Sequence, residues 1–99
     1  MNMQAMLKQA QKMQKELLNK QAEIEKMEFE EKQTFVKVKM NGKKEILDIK
    51  INLDSDFTEE DIEILEDMIM IAINNISSKI DKVTKEKMGP IASGLPGLM

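Results

Sequence analysis

The sequence predicts an α+β fold in the order α-β-β-β-α: a long N-terminal helix, a three-stranded antiparallel sheet and a C-terminal helix. Three observations carry that expectation. Apolar residues recur with a helical beat as far as Met27, alternation with polar residues takes over through Leu53, and a marked helix start follows at Thr58. The bounds read from these changes are residues 1–26 for the first helix, 27–53 for the sheet, 58–88 for the second helix and 89–99 for a tail, all within a single domain.

In the first helix Met3, Ala10, Leu17 and Ile24 recur every seven residues. Met6, Met13 and Met27 keep a second seam, which Lys20 interrupts. The helix should be about 35 Å long at ~1.5 Å per residue. That is long for a small domain, so part of it is expected to project or to lie on a partner subunit. Opposite the seam, Lys8, Lys12, Lys15 and Lys26 fall within about 60° of one another on a helical wheel. Gln4, Gln11 and Asn19 lie between them, and Glu16 and Glu23 flank the stripe.

The stretch from Met27 to Leu53 contains Asn41-Gly42, a strong hairpin signal because tight type I′ turns need positive φ at both central positions. A two-residue loop there would set Met40 opposite Lys43, Val38 opposite Glu45 and Val36 opposite Leu47. A turn near Lys32-Gln33 would set Phe29 opposite Val36. Either way Val36, Val38, Met40, Leu47, Ile49 and Ile51 share one apolar face. The other face carries Glu28, Lys37, Lys39, Lys44, Asp48 and Lys50 and reads as solvated.

The second helix begins with Thr58 as N-cap, Asp61 at the third helical position and acids in the first turn. Phe57 and Ile62 stand at the two ends of a hydrophobic staple. Gly89-Pro90 should end the helix near Met88. Ile62, Leu65, Ile69, Ala72, Ile76, Ile80 and Val83 form one apolar stripe, which can cover the sheet. Ile64, Met68 and Ile71 form another, about 110° away. A second copy of the chain is the cheapest cover for that second stripe, so a homodimer packed through the C-terminal helices is expected, with Ile64, Met68 and Ile71 at the interface. The tail, "IASGLPGLM", is apolar yet punctuated by glycine and proline, as either a docked arm or a disordered end would be.

Composition narrows the chemistry. There is neither cysteine nor histidine, which removes thiolate nucleophiles, sulfur metal sites and the usual proton shuttle. Eight acids and no base lie between Asp54 and Asp67, yet most fall in the first turns of a helix, where they stabilise its N-terminus, and no ligand-loop spacing accompanies them. The glycines form no phosphate-cradling loop. The chain therefore reads as a non-enzyme with no cofactor, no metal and no small-molecule substrate. No run is long and apolar enough to span a bilayer, and the first residues lack a secretory pattern, so a cytoplasmic location without membrane contact is expected.

Net charge is −3, but it is unevenly distributed. Residues 1–26 hold five lysines against Glu16, Glu23 and Glu25, and Lys79, Lys82, Lys85 and Lys87 stand against Asp81 and Glu86. All 15 basic residues are lysine. Lysine serves as a point charge for phosphate, whereas arginine's fork reads guanine edges. The N-terminal stripe is thus either a solvated helix face or a contact for duplex phosphates. With only three aromatic residues, none in the stripe, stacking on single strands is disfavoured.

Four segments, "LKQAQKMQ" (Leu7 to Gln14), "VKVKMNG" (Val36 to Gly42), "INNISSK" (Ile73 to Lys79) and the ending "GLPGLM", resemble the YbaB/EbfC family of bacterial nucleoid-associated proteins, in the right order along nearly the whole chain. The resemblance implies an α-β-β-β-α dimer. Its C-terminal helices would lie between two outer sheets, and its N-terminal helices would extend as tweezer-like arms. It also implies binding of double-stranded DNA, a nucleoid location, and a role in nucleoid organisation and gene regulation. Carried over by position, DNA contact falls on Lys8 and Lys12, with Lys15 and Lys26 on the same stripe. A contribution from the end of the C-terminal helix would fall on Lys79, Lys82, Lys85 and Lys87. Two departures stand out: "EEKQT" (Glu30 to Thr34) replaces a glycine-rich turn, implying a longer or more rigid first hairpin, and Asn75-Ile76 replaces the usual Asp-Ala. The lack of arginine favours binding without sequence preference. The competing expectation is a protein–protein adaptor whose heptad helix docks a partner helix without DNA. A carboxylate–metal enzyme has only the acidic run behind it.

Overall fold

The computed structural model describes residues 2–92. Its elements are α1 (Met3–Lys26), β1 (Glu28–Gln33), β2 (Val36–Asn41), β3 (Ile46–Ile51) and α2 (Ile62–Ala92), with a 3-10 turn over Glu59–Asp61 leading into α2. This is the α+β order that the sequence predicts. α1 ends where the periodicity changes: Met27 turns extended, and its N–H caps the Ile24 carbonyl at 3.0 Å. The strands form one antiparallel sheet in the order β1-β2-β3.

Both hairpins pair four residues away from the expected register. Phe29 lies opposite Met40 and Gln33 opposite Val36, so the first turn falls on Thr34-Phe35. Val36 lies opposite Ile51 and Val38 opposite Ile49, with a bulge at Leu47, between Ile46 (opposite Met40) and Asp48 (opposite Lys39). A slip of four leaves the side chains on their expected faces, because the side-chain period is two; beyond the bulge the slip is three, and Ile46 rather than Leu47 lies opposite Met40. The cause of the second shift is Asn41, which belongs to β2 rather than to the turn. Its Oδ1 accepts from the N–H groups of Lys43 (2.9 Å) and Glu45 (3.1 Å), and its Nδ2 donates to Glu45 Oε1 at 2.9 Å. The Lys44 N–H bonds the Asn41 carbonyl at 3.0 Å, and Lys44 takes the left-handed conformation, φ 65°. This is a three-residue loop that places its left-handed residue last.

α2 lies across β1 and β2. The core is Val36, Val38 and Met40 from β2 and Ala72, Ile76 and Ile80 from α2, with Phe29, Leu65 and Ile69 packed around it. A helix about 10 Å wide covers two strands ~4.8 Å apart, not three. The inner face of β3 is consequently open, with Ile49 40% and Ile51 46% exposed. Thr58 caps the 3-10 turn that leads into α2: its N–H and hydroxyl donate to Asp61 Oδ2 at 2.9 and 3.3 Å, and its carbonyl accepts the Asp61 N–H at 3.0 Å. The hydrophobic staple is not formed: Phe57 packs edge-on against Phe35, ring centroids 6.1 Å apart, and Ile62 stays exposed. α2 also runs through Gly89 and Pro90 to Ala92 instead of stopping near Met88. A proline removes one N–H from the helical ladder, but the residues around it can still hold helical dihedrals. Residues 93–99 of the tail lie outside the described residues.

Candidate nucleic-acid interface

α1 begins at an Asn2 cap, whose Oδ1 accepts the Gln4 N–H at 3.0 Å. Only its C-terminal half docks. Ile24 is buried and Met13 and Leu17 are half-buried, whereas every residue from Met3 to Lys12 is exposed. A groove lined by Leu17, Ile24, Gly42, Thr84 and Met88 marks where α1 meets the end of α2 and the β2–β3 loop. The first three turns therefore stand clear of the body, and the molecule is 72 Å long but only 20 × 14 Å across.

Docking through Leu17 and Ile24 turns the opposite face outward. Lys8, Lys12, Lys15 and Lys26 are all exposed on that face, and none makes an ion pair among the described residues. From Lys8 to Lys26 the stripe extends about 27 Å along the helix. The one ion pair on α1, Lys20 with Glu23 at 3.7 Å, lies off the stripe.

The C-terminal lysines are arranged differently. Lys79 reaches across to β1, where its ammonium lies 3.3 Å from Glu31 and donates to the Glu30 carbonyl at 3.3 Å. The Asn75 amide first, and the Lys79 ammonium after it, hold the Glu31 carboxyl below its usual range against the opposing effect of burial. Lys79 is thus committed to the fold, whereas Lys82, Lys85 and Lys87 are exposed without ion pairs among the described residues. The four lysines spread over about 200° of the helix, so they do not form one stripe.

Of the residues read as a dimer interface, Ile64 is 49% and Ile71 45% exposed. Met68 is half-buried and packs against the chain's own core. The sequence places Ile49 and Ile51 on the apolar face of the sheet but does not foretell that they stay open, because alternation marks the apolar face of a strand but not whether a helix reaches it. Among the described residues no three acidic side chains are grouped to hold a metal ion, and no helix is long and apolar enough to cross a membrane.

The model of the YbaB/EbfC DNA-binding family matches residues 1–95, spanning the arm, the sheet and both helices. The chain belongs to the YbaB/EbfC DNA-binding family. A relative named nucleoid-associated protein from Lactococcus lactis subsp. cremoris is 43% identical over 98 residues, covering 97% of this chain and 98% of the relative. One of the same name from Streptococcus pneumoniae is 42% identical over 98 residues, with the same coverage. A third, from Ligilactobacillus salivarius, is 39% identical over 100 residues, covering 99% and 95%. Membership of the YbaB/EbfC family agrees with the α-β-β-β-α order found here.

Proposed function

We propose that this chain is a homodimeric, nucleoid-associated protein of the bacterial cytoplasm that binds duplex DNA, largely without sequence preference, and thereby contributes to nucleoid organisation and gene regulation. The observation that carries the reading is the lysine stripe Lys8–Lys12–Lys15–Lys26: exposed, unpaired among the described residues, and set on a helix that projects from the body. Membership of a DNA-binding family and the names of the relatives support it. Each lysine would neutralise a backbone phosphate and release condensed counterions, an interaction blind to sequence. With no arginine in the chain, guanine edges lack their commonest reader. Lys82, Lys85 and Lys87 are secondary contacts in this reading, and Lys79 contributes least because it is held to Glu31.

The homodimer rests on apolar surface left open: Ile64 and Ile71 on α2, and Ile49 and Ile51 on β3. A second copy covering these residues would carry two arms. A gel-shift titration with random duplex at low salt tests the DNA reading. Retardation independent of sequence supports it, whereas no shift at high micromolar protein leaves the helix-docking adaptor as the better account.

A further inference from the structure

The observed register exposes a feature of the outer sheet face, on the side away from α2. Lys32 lies directly opposite Lys37, and Lys37 directly opposite Lys50, so three lysines form an unbroken row across all three strands. Facing positions bring Cβ atoms to ~5 Å, where like charges are destabilising. The next row is built the other way: Glu30, Lys39 and Asp48 alternate in sign. Among the described residues Glu30 is the row's only acidic ion-pair partner, 3.5 Å from Lys37, and it is shared with Lys39 at 3.6 Å. Lys32 and Lys50 have no ion pair among the described residues. Asp54, four residues beyond Lys50, accepts the Asp56 N–H at 3.1 Å and closes its own turn.

The three lysines line one concavity of about 320 Å³ together with Gln33, Thr34, Phe35, Val36 and Asn52. The ammonium groups, the Thr34 hydroxyl and the Asn52 amide are groups that can donate hydrogen bonds to an anion. We propose that this row is a phosphate-binding site, separate from the α1 stripe, which takes a chain of phosphates rather than a single one. Two strand spacings set the row at ~9.6 Å, so a run of phosphates meets all three ammonium groups in succession. The row begins six residues beyond the end of α1, about 20 Å further along the molecule, at the end opposite the arm. A nucleic-acid backbone and a free polyphosphate chain share the required chemistry. If the source is a backbone, each protomer holds DNA at two separated places.

The test is a titration of the 15N-labelled full chain with a short random duplex, with tripolyphosphate and with orthophosphate, followed through backbone amides. The amides of Lys32–Lys37 and Lys50–Asn52 should move with a phosphate chain, at least about tenfold more readily than with orthophosphate at equal phosphate concentration. The response should vanish in the K32Q/K50Q variant, which keeps the Lys37–Glu30 contact. That variant should also melt higher than the parent in low-salt, anion-free buffer, since it removes like-charge contacts. Response to the duplex identifies the backbone as source, and response to tripolyphosphate alone identifies a free chain. Amides that stay still with both chains, or that answer orthophosphate equally well, overturn the proposal. Amides of Leu7–Lys15 report the arm in the same spectra, so a silent sheet beside a responding arm sinks this site while leaving the arm contact standing.

Discussion

Gly42 shows how a residue can be predicted for one reason and required for another. The sequence assigns it to a turn that needs positive φ, yet the left-handed residue is Lys44. A Cβ on Gly42 would instead collide with the backbone carbonyl of Ile24, where the last turn of α1 crosses the β2–β3 loop. That contact is tertiary, so no local pattern announces it. Gly42→Ala should lower stability by about 1–3 kcal/mol, the usual cost of overpacking; a urea midpoint equal to the parent's would show that α1 does not close on the loop. Glu31 is a second residue that sequence reading passed over, because its partners are more than forty positions away in α2. Its carboxyl is held below 4.5 in the folded state, by Asn75 and then Lys79. The stabilisation is therefore fully present above 4.5 and lost as pH falls through the lower folded value. Glu31→Gln should unfold earlier than the parent at neutral pH, and the gap between the two should close on acidification. Parallel pH profiles would remove Glu31 from the account.

Among the elements, those with a strong local period were the most legible. The heptad seam of α1 and the Thr58 N-cap with Asp61 three residues on mark the two helical segments, since each depends on neighbours three to seven residues apart. Turn positions were less legible. Asn41-Gly42 carries the signal of a two-residue loop, but the Asn41 side chain supports a longer one, and the slip of four moved every pair while keeping the faces right as far as the bulge at Leu47. The staple at Phe57 lost to a distant ring, Phe35. α1 itself is held unequally, by Leu17 and Ile24 at one end and by nothing over Met3–Lys12. Local opening free energy follows buried apolar contact. Amide exchange in the DNA-free protein should therefore be fast across Met6–Lys12 and slow across Leu18–Lys26. Uniform protection along α1 would mean that the arm is covered in solution.

At the scale of the molecule, charge is segregated in a way that whole-chain pI conceals. The acidic run Asp54–Asp67 starts beside the β1–β2 turn, where Phe57 meets Phe35, and the lysine stripe occupies the far end on α1. Repulsion of DNA by the acids is accordingly weakest at the arm, because screening removes it beyond about 10 Å at ordinary salt. The open apolar residues belong to the same scale. Ile71→Lys and Ile49→Lys would each place a charge in a dry dimer interface at a cost of several kcal/mol, and light scattering should find monomer. Ile71 is a cleaner probe than Met68, which also packs on its own core; a variant that stays dimeric with unchanged stability takes its residue out of the interface. If two arms each present Lys8, Lys12 and Lys15, these residues make at most about six phosphate contacts in a dimer, and their share of the log–log salt slope of DNA binding should be of order −5. The most direct measurement is that slope for the parent and for K8Q/K12Q/K15Q, in which glutamine preserves helix propensity and the apolar seam. The account predicts a folded dimer that loses most of its affinity on every sequence and whose slope flattens; unchanged affinity and an unchanged slope would return the stripe to a solvated helix face.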